Sequence, residues 1–522
     1  IGGEGSKSLL RPALCLEVRE GRLHVFMPYV LRASDYLELL AAVEDTCVYL
    51  NQPVWIEGYA PPSDSRLRNF SITPDPGVIE VNLPPAGDWE ELKSINTLTF
   101  EEAKRCRLTA EKFAYDGRQT ATGGGNHIVL GGATPSESPL LRRPDLLRSM
   151  VTFWQNHPSL SYLFSGAFIG PTSQYPRIDE ARHDALYELE IAFAQLPEGD
   201  CPFWLVDRLF RNLLVDMTGN THRAEFCIDK LYPPQNAAMR LGLLELRAFE
   251  MAPHLRMGLA ELLLVRALVS TFWKTPYQNQ LVHWGTALHD RFLLPHFVQQ
   301  DFEEVIRFLQ RSGYAFERHW FEPHMRFRFP KIGSLAVSGI ELELRQALEP
   351  WHVLGEEASG SGTARSVDSS LERLQLKVTG LTQRYSVLCN GRPIPLRSTG
   401  IPGEAVAGVR YRAWQPASCL HPTIPVHTPL AFDIVDGWNH VSVGGCKYHV
   451  LHPKGTVYPA RPANAAEAES RRAERFESGT HTPGAIKLPH EDVNPCFPMT
   501  LDLRWPSGAA KFEAKGGLTP TL

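Results

Sequence analysis

The run Thr122-Gly123-Gly124-Gly125-Asn126-His127-Ile128-Val129-Leu130-Gly131-Gly132 is entered through Tyr115-Asp116-Gly117-Arg118. It joins a triple-glycine loop to an Asn-His pair and a short apolar strand that two further glycines close. Glycine reaches φ > 0 at no steric cost and lets a backbone come close to a phosphate. Ile128-Val129-Leu130 reads as a strand, so the loop delivers His127 to the strand's leading end. No Gly-Lys-Ser/Thr follows, so this is not a Walker A loop. Taken alone, the run also fits a flexible turn entering an edge strand. What surrounds it in the chain decides between the two.

Two acidic strands precede it. Val54-Trp55-Ile56-Glu57-Gly58-Tyr59 sets Glu57 on one face with Trp55 and Tyr59. Val78-Ile79-Glu80-Val81-Asn82-Leu83 sets Glu80 with Asn82, opposite Ile79 and Val81. A carboxylate inside an apolar strand costs on the order of several kcal/mol to bury unless a cation or a full hydrogen-bond shell meets it. The solvent face of an edge strand is the alternative. Downstream come Asn220-Thr221-His222-Arg223-Ala224-Glu225-Phe226 and Leu243-Leu244-Glu245-Leu246-Arg247-Ala248-Phe249-Glu250. In the second, Glu245 and Arg247 share a face while Leu244 and Leu246 point the other way. A ladder of surface ion pairs, worth little, would produce the same pattern.

The order Glu, Glu, Gly-Gly-Gly-Asn-His, Arg, Glu-x-Arg therefore sets hard oxygen ligands and one imidazole beside glycines and arginines. The first set suits Mg²⁺ or Mn²⁺, and the second suits the phosphates of ATP.

The rest of the chain sets bounds. At 522 residues it exceeds the ~250–300 that one core usually serves, so two or more domains are expected. Hydrophobic residues at 43% and charged residues at 21% fit a globular protein. A net charge of −5 leaves no basic field for nucleic acid. The greasiest run, Gly258 to Trp273, is broken by Glu261 and Arg266 and reads as a buried helix, so no membrane span is expected. Nine cysteines without a CxxC pair read as reduced thiols in a cytoplasmic setting, with no Cys-rich zinc site. No signal peptide is seen, and the start at Ile1 without Met reads as a piece of a longer protein.

Strands are expected at Arg22–Met27, Val54–Tyr59, Val78–Leu83, Arg223–Ile228 and Leu243–Ala248. Helices are expected at Asp35–Leu50 behind an N-cap at Ser34, then at Pro144–His157, Asp179–Gln195, Phe203–Met217 and Asp301–Arg311. From about Ser334 short strands and hairpin signals take over, Asn390-Gly391 and Asp436-Gly437 among them. The Ser/Gly-rich run 357–370 reads as a flexible loop, and Ala460–Arg475 as a surface helix. Domains are expected at 1–333, at 334–459 as a β-rich unit, and at 460–522 as a C-terminal extension. Histidines 421, 427, 440, 449 and 452, beside Cys419 and Cys446, match no standard zinc spacing.

The clusters resemble the glutamine synthetase/glutamate–cysteine ligase superfamily. The chain is more closely similar, over nearly its whole length, to the bacterial amidoligase domain found downstream of transglutaminase-like cysteine peptidase domains. Trp55–Tyr59, Gly77–Pro85, Tyr115–Gly132, Thr221–Phe226, Leu243–Glu250 and the late stretch Pro495–Trp505 carry the likeness. It implies an α+β fold: a glutamine-synthetase-like curved antiparallel sheet cupping the active site, helices outside it, and a smaller all-β C-terminal domain. It implies metal ligation by Glu57, Glu80, His127 and Glu245. Arg223 and Arg247 would meet the transferred phosphate, and Gly123, Gly124, Gly125 and Asn126 would lie beside the nucleotide. Many relatives carry Glu-x-Glu on the first acidic strand, whereas here Gly58-Tyr59 follows Glu57. Glu17 or Glu90 would then supply the missing ligand.

The expected activity is an ATP- and Mg²⁺- (or Mn²⁺-) dependent carboxylate–amine ligase working through an acyl phosphate on a peptide or γ-glutamyl-type substrate. A transglutaminase-like domain upstream in the same parent chain is the expected neighbour. The alternative is a catalytically degenerate module that presents peptides to that neighbour. Metal-dependent hydrolysis without ATP fits less well, because it leaves the arginines and glycines unused.

Overall fold

The computed structural model describes residues 13–506, apart from 63, 65, 68, 69, 76, 183, 198, 200, 360, 361 and 456. The chain divides into two compact units: Ile1–Asp75 with Ile79–Pro85, and Pro76–Val78 with Ala86–Leu522.

In the N-terminal unit, β1 (Cys15–Arg19), β2 (Arg22–Met27) and β3 (Val54–Gly58) form a sheet in that order. β1 and β2 are antiparallel, and β2 and β3 parallel. The helix Ala33–Leu50 makes the crossover that parallel neighbours require. Its N-cap is Arg32 rather than Ser34, whose hydroxyl instead bonds Asp35 at 3.2 Å inside the first turn. Asp35 there complements the helix dipole. The hairpin of β4 (Ser71–Asp75) and β5 (Val78–Asn82) follows.

The larger unit opens with the helix Trp89–Arg105, whose N-cap Asp88 accepts from the Glu91 amide at 2.9 Å. β6 (Lys112–Phe113) and β7 (Gln119–Thr120) form a hairpin around Asp116-Gly117. β8 (Ile128–Leu130), β9 (Phe226–Cys227) and β10 (Leu244–Leu246) form a small antiparallel sheet in the order β8-β10-β9. Ile128, Phe226, Leu244 and Leu246 point into a core supplied mainly by helices, among them Pro144–Asn156, Leu255–Lys274 and Pro295–Arg311.

The expectation of one curved antiparallel sheet is corrected here. The fold is mixed α+β with several small sheets, and the strands bearing Glu57, Glu80 and Glu245 belong to three of them. The strand expected at Arg223–Ile228 shrinks to β9, because an Asn220-centred turn occupies its start. The helix expected at Phe203–Met217 stops at Phe210. That expected at Asp179–Gln195 splits into Ile178–Ala181 and Ala185–Ala194.

Two further sheets build a second core. One is β11 (Lys331–Val337), β12 (Ile340–Ala347), β15 (Leu371–Thr379), β19 (Ala405–Arg412) and β18 (Arg397–Ser398), with β23 (Thr500–Asp502) parallel to β19. The other is β17 (Arg392–Pro393), β16 (Tyr385–Cys389), β20 (Leu430–Asp436), β21 (Val441–Tyr448) and β22 (Phe476–Ser478). Leu342, Leu376 and Val409 of the first share one cluster with Val387, Ile434 and Cys446 of the second. Asn390-Gly391 makes the expected two-residue turn, with φ of 48° and 77°.

A boundary drawn at 333/334 would fall inside β11. Most of the run expected as a loop at 357–370 is strand: β13 (His352–Ser359) and β14 (Gly362–Asp368) pair antiparallel. Arg365 anchors this hairpin, bonding Glu356 at 2.5 Å, the Thr172 carbonyl at 3.2 Å and Asp216 at 3.3 Å. Nor is 460–522 an appendage over its described part. The helix Ala465–Ala473 seats the Asp116-Gly117 turn, with Arg471 donating to the Tyr115 carbonyl at 2.8 Å and Arg472 to that of Gly117. Thr500 and the Met499 amide bond Asp290 at 2.7 and 3.0 Å. The late stretch Pro495–Trp505 thus tethers β23 to the helical part. Among the described residues no helix is long and apolar enough to cross a membrane.

Candidate active site

Side chains alternate along β10. Leu244 and Leu246 enter the core, which leaves Glu245 on the opposite face beside its register partners Val129 and Cys227. Two residues on, Arg247 keeps the same side, and its amide extends the ladder to the Glu225 carbonyl at 3.0 Å. His127 immediately precedes β8 and comes to the same place from the neighbouring strand.

Glu245 is the centre of this face. It is only 5% exposed, yet three cationic or imidazole groups reach it. His127 Nδ1 lies 2.9 Å from Oε1, Arg247 donates to Oε1 at 2.7 Å, and Lys230 Nζ lies 3.3 Å from Oε2. Burial pushes the carboxyl up, but the His127 hydrogen bond and the Arg247 and Lys230 charges outweigh it, bringing the pKa down to about 2. The group is ionised at neutral pH. Arg247 spends only part of its fork, since its Nε is buried with no hydrogen-bond partner among the described residues.

The glycine loop is strapped to the continuation of β10. The Asn126 amide donates to Phe249 O at 2.8 Å, and Gly125 bridges Glu250. Gly123 has φ of +100°, which only glycine adopts without strain. A Cβ on Gly125 would collide with His127 Nε2, so the absent side chain is what lets the imidazole lie against the loop. Behind it, Asn126 Nδ2 donates to the buried Glu261 at 3.2 Å, whose other oxygen lies 3.2 Å from His324. The loop is therefore a fixed element rather than a flexible turn.

The predicted residues divide between the two units. His127, Glu245 and Arg247 are brought together. Arg223 lies in the Asn220 turn, half-buried, with no ion pair among the described residues. In the N-terminal unit, Glu57 accepts from Arg19 and lies 2.8 Å from His24 Nδ1. Arg19 first and His24 second hold its carboxyl below the usual range. Arg19 also pairs with Glu17 at 3.2 Å, which places Glu17, of the two substitutes considered, in Glu57's own sheet. Glu90 pairs with Lys93 at 2.5 Å at the start of its helix. Glu80 is exposed and accepts from Asn82 at 2.9 Å.

One participant was not read from the sequence, and a nearby buried carboxylate is engaged elsewhere. Lys230 follows β9 with no periodic signal to mark it. Glu225 is 5% exposed, accepts from Trp154 Nε1 at 3.0 Å, and is pushed up to about 7 by burial, which the nearby Arg177 only partly offsets. The β-rich histidines are engaged separately: His427 caps the Arg412 amide at 3.0 Å, and His449 and His452 each pair with a glutamate at 3.2 Å.

A buried carboxylate held ionised by three cationic or imidazole groups is strongly perturbed, and such groups concentrate at catalytic sites. The family comparison agrees that this is an enzyme. The model described as "Putative amidoligase enzyme (DUF2126)" matches residues 3–504, and the chain belongs to that family of amidoligases. The chain matches no curated protein and no solved structure.

Proposed function

We propose that this amidoligase joins a carboxylate to an amine at the expense of ATP, with the face around Glu245 as its phosphoryl-handling centre. The observation that carries the reading is the ionised, buried Glu245 held between His127 and Arg247. A carboxylate oxygen of the substrate attacks the γ-phosphorus, and ADP leaves. The amine then attacks the acyl carbon, and phosphate leaves. Neither step requires a protein nucleophile, so catalysis rests on positioning and charge neutralisation.

Each group has a task suited to it. Arg247 brings its guanidinium to phosphoryl oxygens, and the half-buried Arg223 adds a second. The fixed Gly123–Asn126 loop offers backbone close to the nucleotide. The oxygen-plus-imidazole set of Glu245 and His127 suits Mg²⁺ or Mn²⁺. When bound, the metal would neutralise phosphate oxygens. A peptide or γ-glutamyl carboxylate is the natural substrate class for such a ligase, working in a cytoplasmic setting beside a transglutaminase-like domain.

Hydroxylamine tests this without knowledge of the amine. Offered with ATP, Mg²⁺ and a panel of glutamyl and peptide carboxylates, it should trap the acyl phosphate as a hydroxamate, one per ADP released. Hydroxamate formed equally well without ATP would contradict the proposal.

A further inference from the structure

One strand over from Glu245, three side chains of different chemistry converge. His222 Nδ1 lies 3.5 Å from Asp229 Oδ2 and 4.0 Å from Cys227 Sγ. One ligand atom from each residue lies within 4.8 Å of both others. We propose that His222, Cys227 and Asp229 form a zinc site, distinct from the Glu245 centre, with its fourth position open to water.

The spacing is one that a tetrahedral metal can take up with small side-chain movements. Tetrahedral zinc, with bonds of about 2.0–2.2 Å to nitrogen and oxygen and about 2.3 Å to sulfur, sets N and O about 3.4 Å apart and N and S about 3.6 Å apart. The observed 3.5 and 4.0 Å are within a few tenths of those edges. Thiolate and imidazole select zinc over Mg²⁺, which takes oxygen.

Asp229 is held from behind by a side chain, and His222 and Cys227 are placed by their backbone. Arg211 NH1 takes Asp229 Oδ1 at 3.3 Å and leaves Oδ2 facing the site, while Arg211 is itself fixed on Asp207. The His222 amide donates to Asn220 Oδ1 at 2.9 Å, and buried Asp216 accepts from the Thr218 and Asn220 amides at 2.8 and 3.0 Å. Cys227 is fixed by β9 pairing. The His222 side chain is 59% exposed, so ion and water have access.

Cobalt supplies the test, because only a sulfur ligand gives a thiolate-to-metal charge-transfer band, and the Glu245–His127 pair contains none. EDTA-treated full chain should bind one thiolate-ligated Co²⁺ with that near-ultraviolet band and tetrahedral d–d bands. Zn²⁺ should bleach them, and excess Mg²⁺ should not. Cys227→Ser should lose the band, while Cys496→Ser, an exposed thiol elsewhere, should keep it. His222→Ala changes only an exposed side chain, so it keeps the test valid should Cys227→Ser misfold. Loss of a direct ligand should weaken zinc binding by at least about 100-fold, the upper end of what outer-shell partners cost. A cobalt spectrum without the band, a band that survives Cys227→Ser, or unchanged zinc affinity in His222→Ala would overturn the site.

Discussion

Replacing Glu245 by glutamine keeps the shape of the side chain and removes its charge. In the native fold the carboxyl's pKa falls from an ordinary 4.5 to about 2. At about 1.4 kcal/mol per unit, the ionised form contributes on the order of 3 kcal/mol at neutral pH. Glutamine forfeits this and leaves Arg247 and Lys230 close together with no anion between them. Because the folded pKa is depressed, the stabilisation is present above the unfolded value and is lost as pH falls through the folded one. The difference between wild type and variant should therefore be level above about pH 6 and shrink below about 4.5. Urea unfolding followed by tryptophan fluorescence reads it, with buried Trp154 reporting on the same unit. A variant as stable as wild type at neutral pH, or a gap indifferent to acid, would refute the electrostatic account of the site.

Other perturbations separate structure from chemistry. Arg247→Lys keeps the charge but loses the planar fork. ATP-dependent turnover should fall roughly 10²–10³-fold while the melting temperature holds, and wild-type-like turnover would remove Arg247 from the site. Gly125→Ala pushes the His127 ring off the loop, so it should cost about 1–3 kcal/mol in stability and weaken Mg²⁺-dependent nucleotide binding. Arg365→Ala cuts the anchor of the β13–β14 hairpin, and limited proteolysis should then cut within 352–368, where the wild type resists.

The parts of the fold legible in the sequence are those governed by local rules. The crossover from β2 to β3 shows as an apolar-spaced helix between two apolar strands, and Asn390-Gly391 as a two-residue turn. At the site, period-2 alternation suffices to put Glu245 and Arg247 on one face. What periodicity cannot show is partner choice. A surface ladder would pair Arg247 with a carboxylate such as Glu225 or Glu250, but Glu225 turns to Trp154, Glu250 to Arg328, and Arg247 to Glu245. The Ser/Gly-rich run looks unstructured because the contacts that order it come from Thr172 and Asp216, about 150–190 residues away. The late Pro495–Trp505 stretch enters the sequence reading only as part of the family likeness, and in the structure Asp290, Arg392 and Arg410 use it to bind two parts of the unit together.

The most direct measurement is calorimetric titration of a non-hydrolysable ATP analogue into the full chain, with and without Mg²⁺, repeated on Glu245→Gln. The account predicts saturable binding that Mg²⁺ strengthens in the wild type, and a loss of that Mg²⁺ dependence in the variant. Nucleotide binding that is absent, or equally strong with and without Mg²⁺ in both proteins, would contradict it.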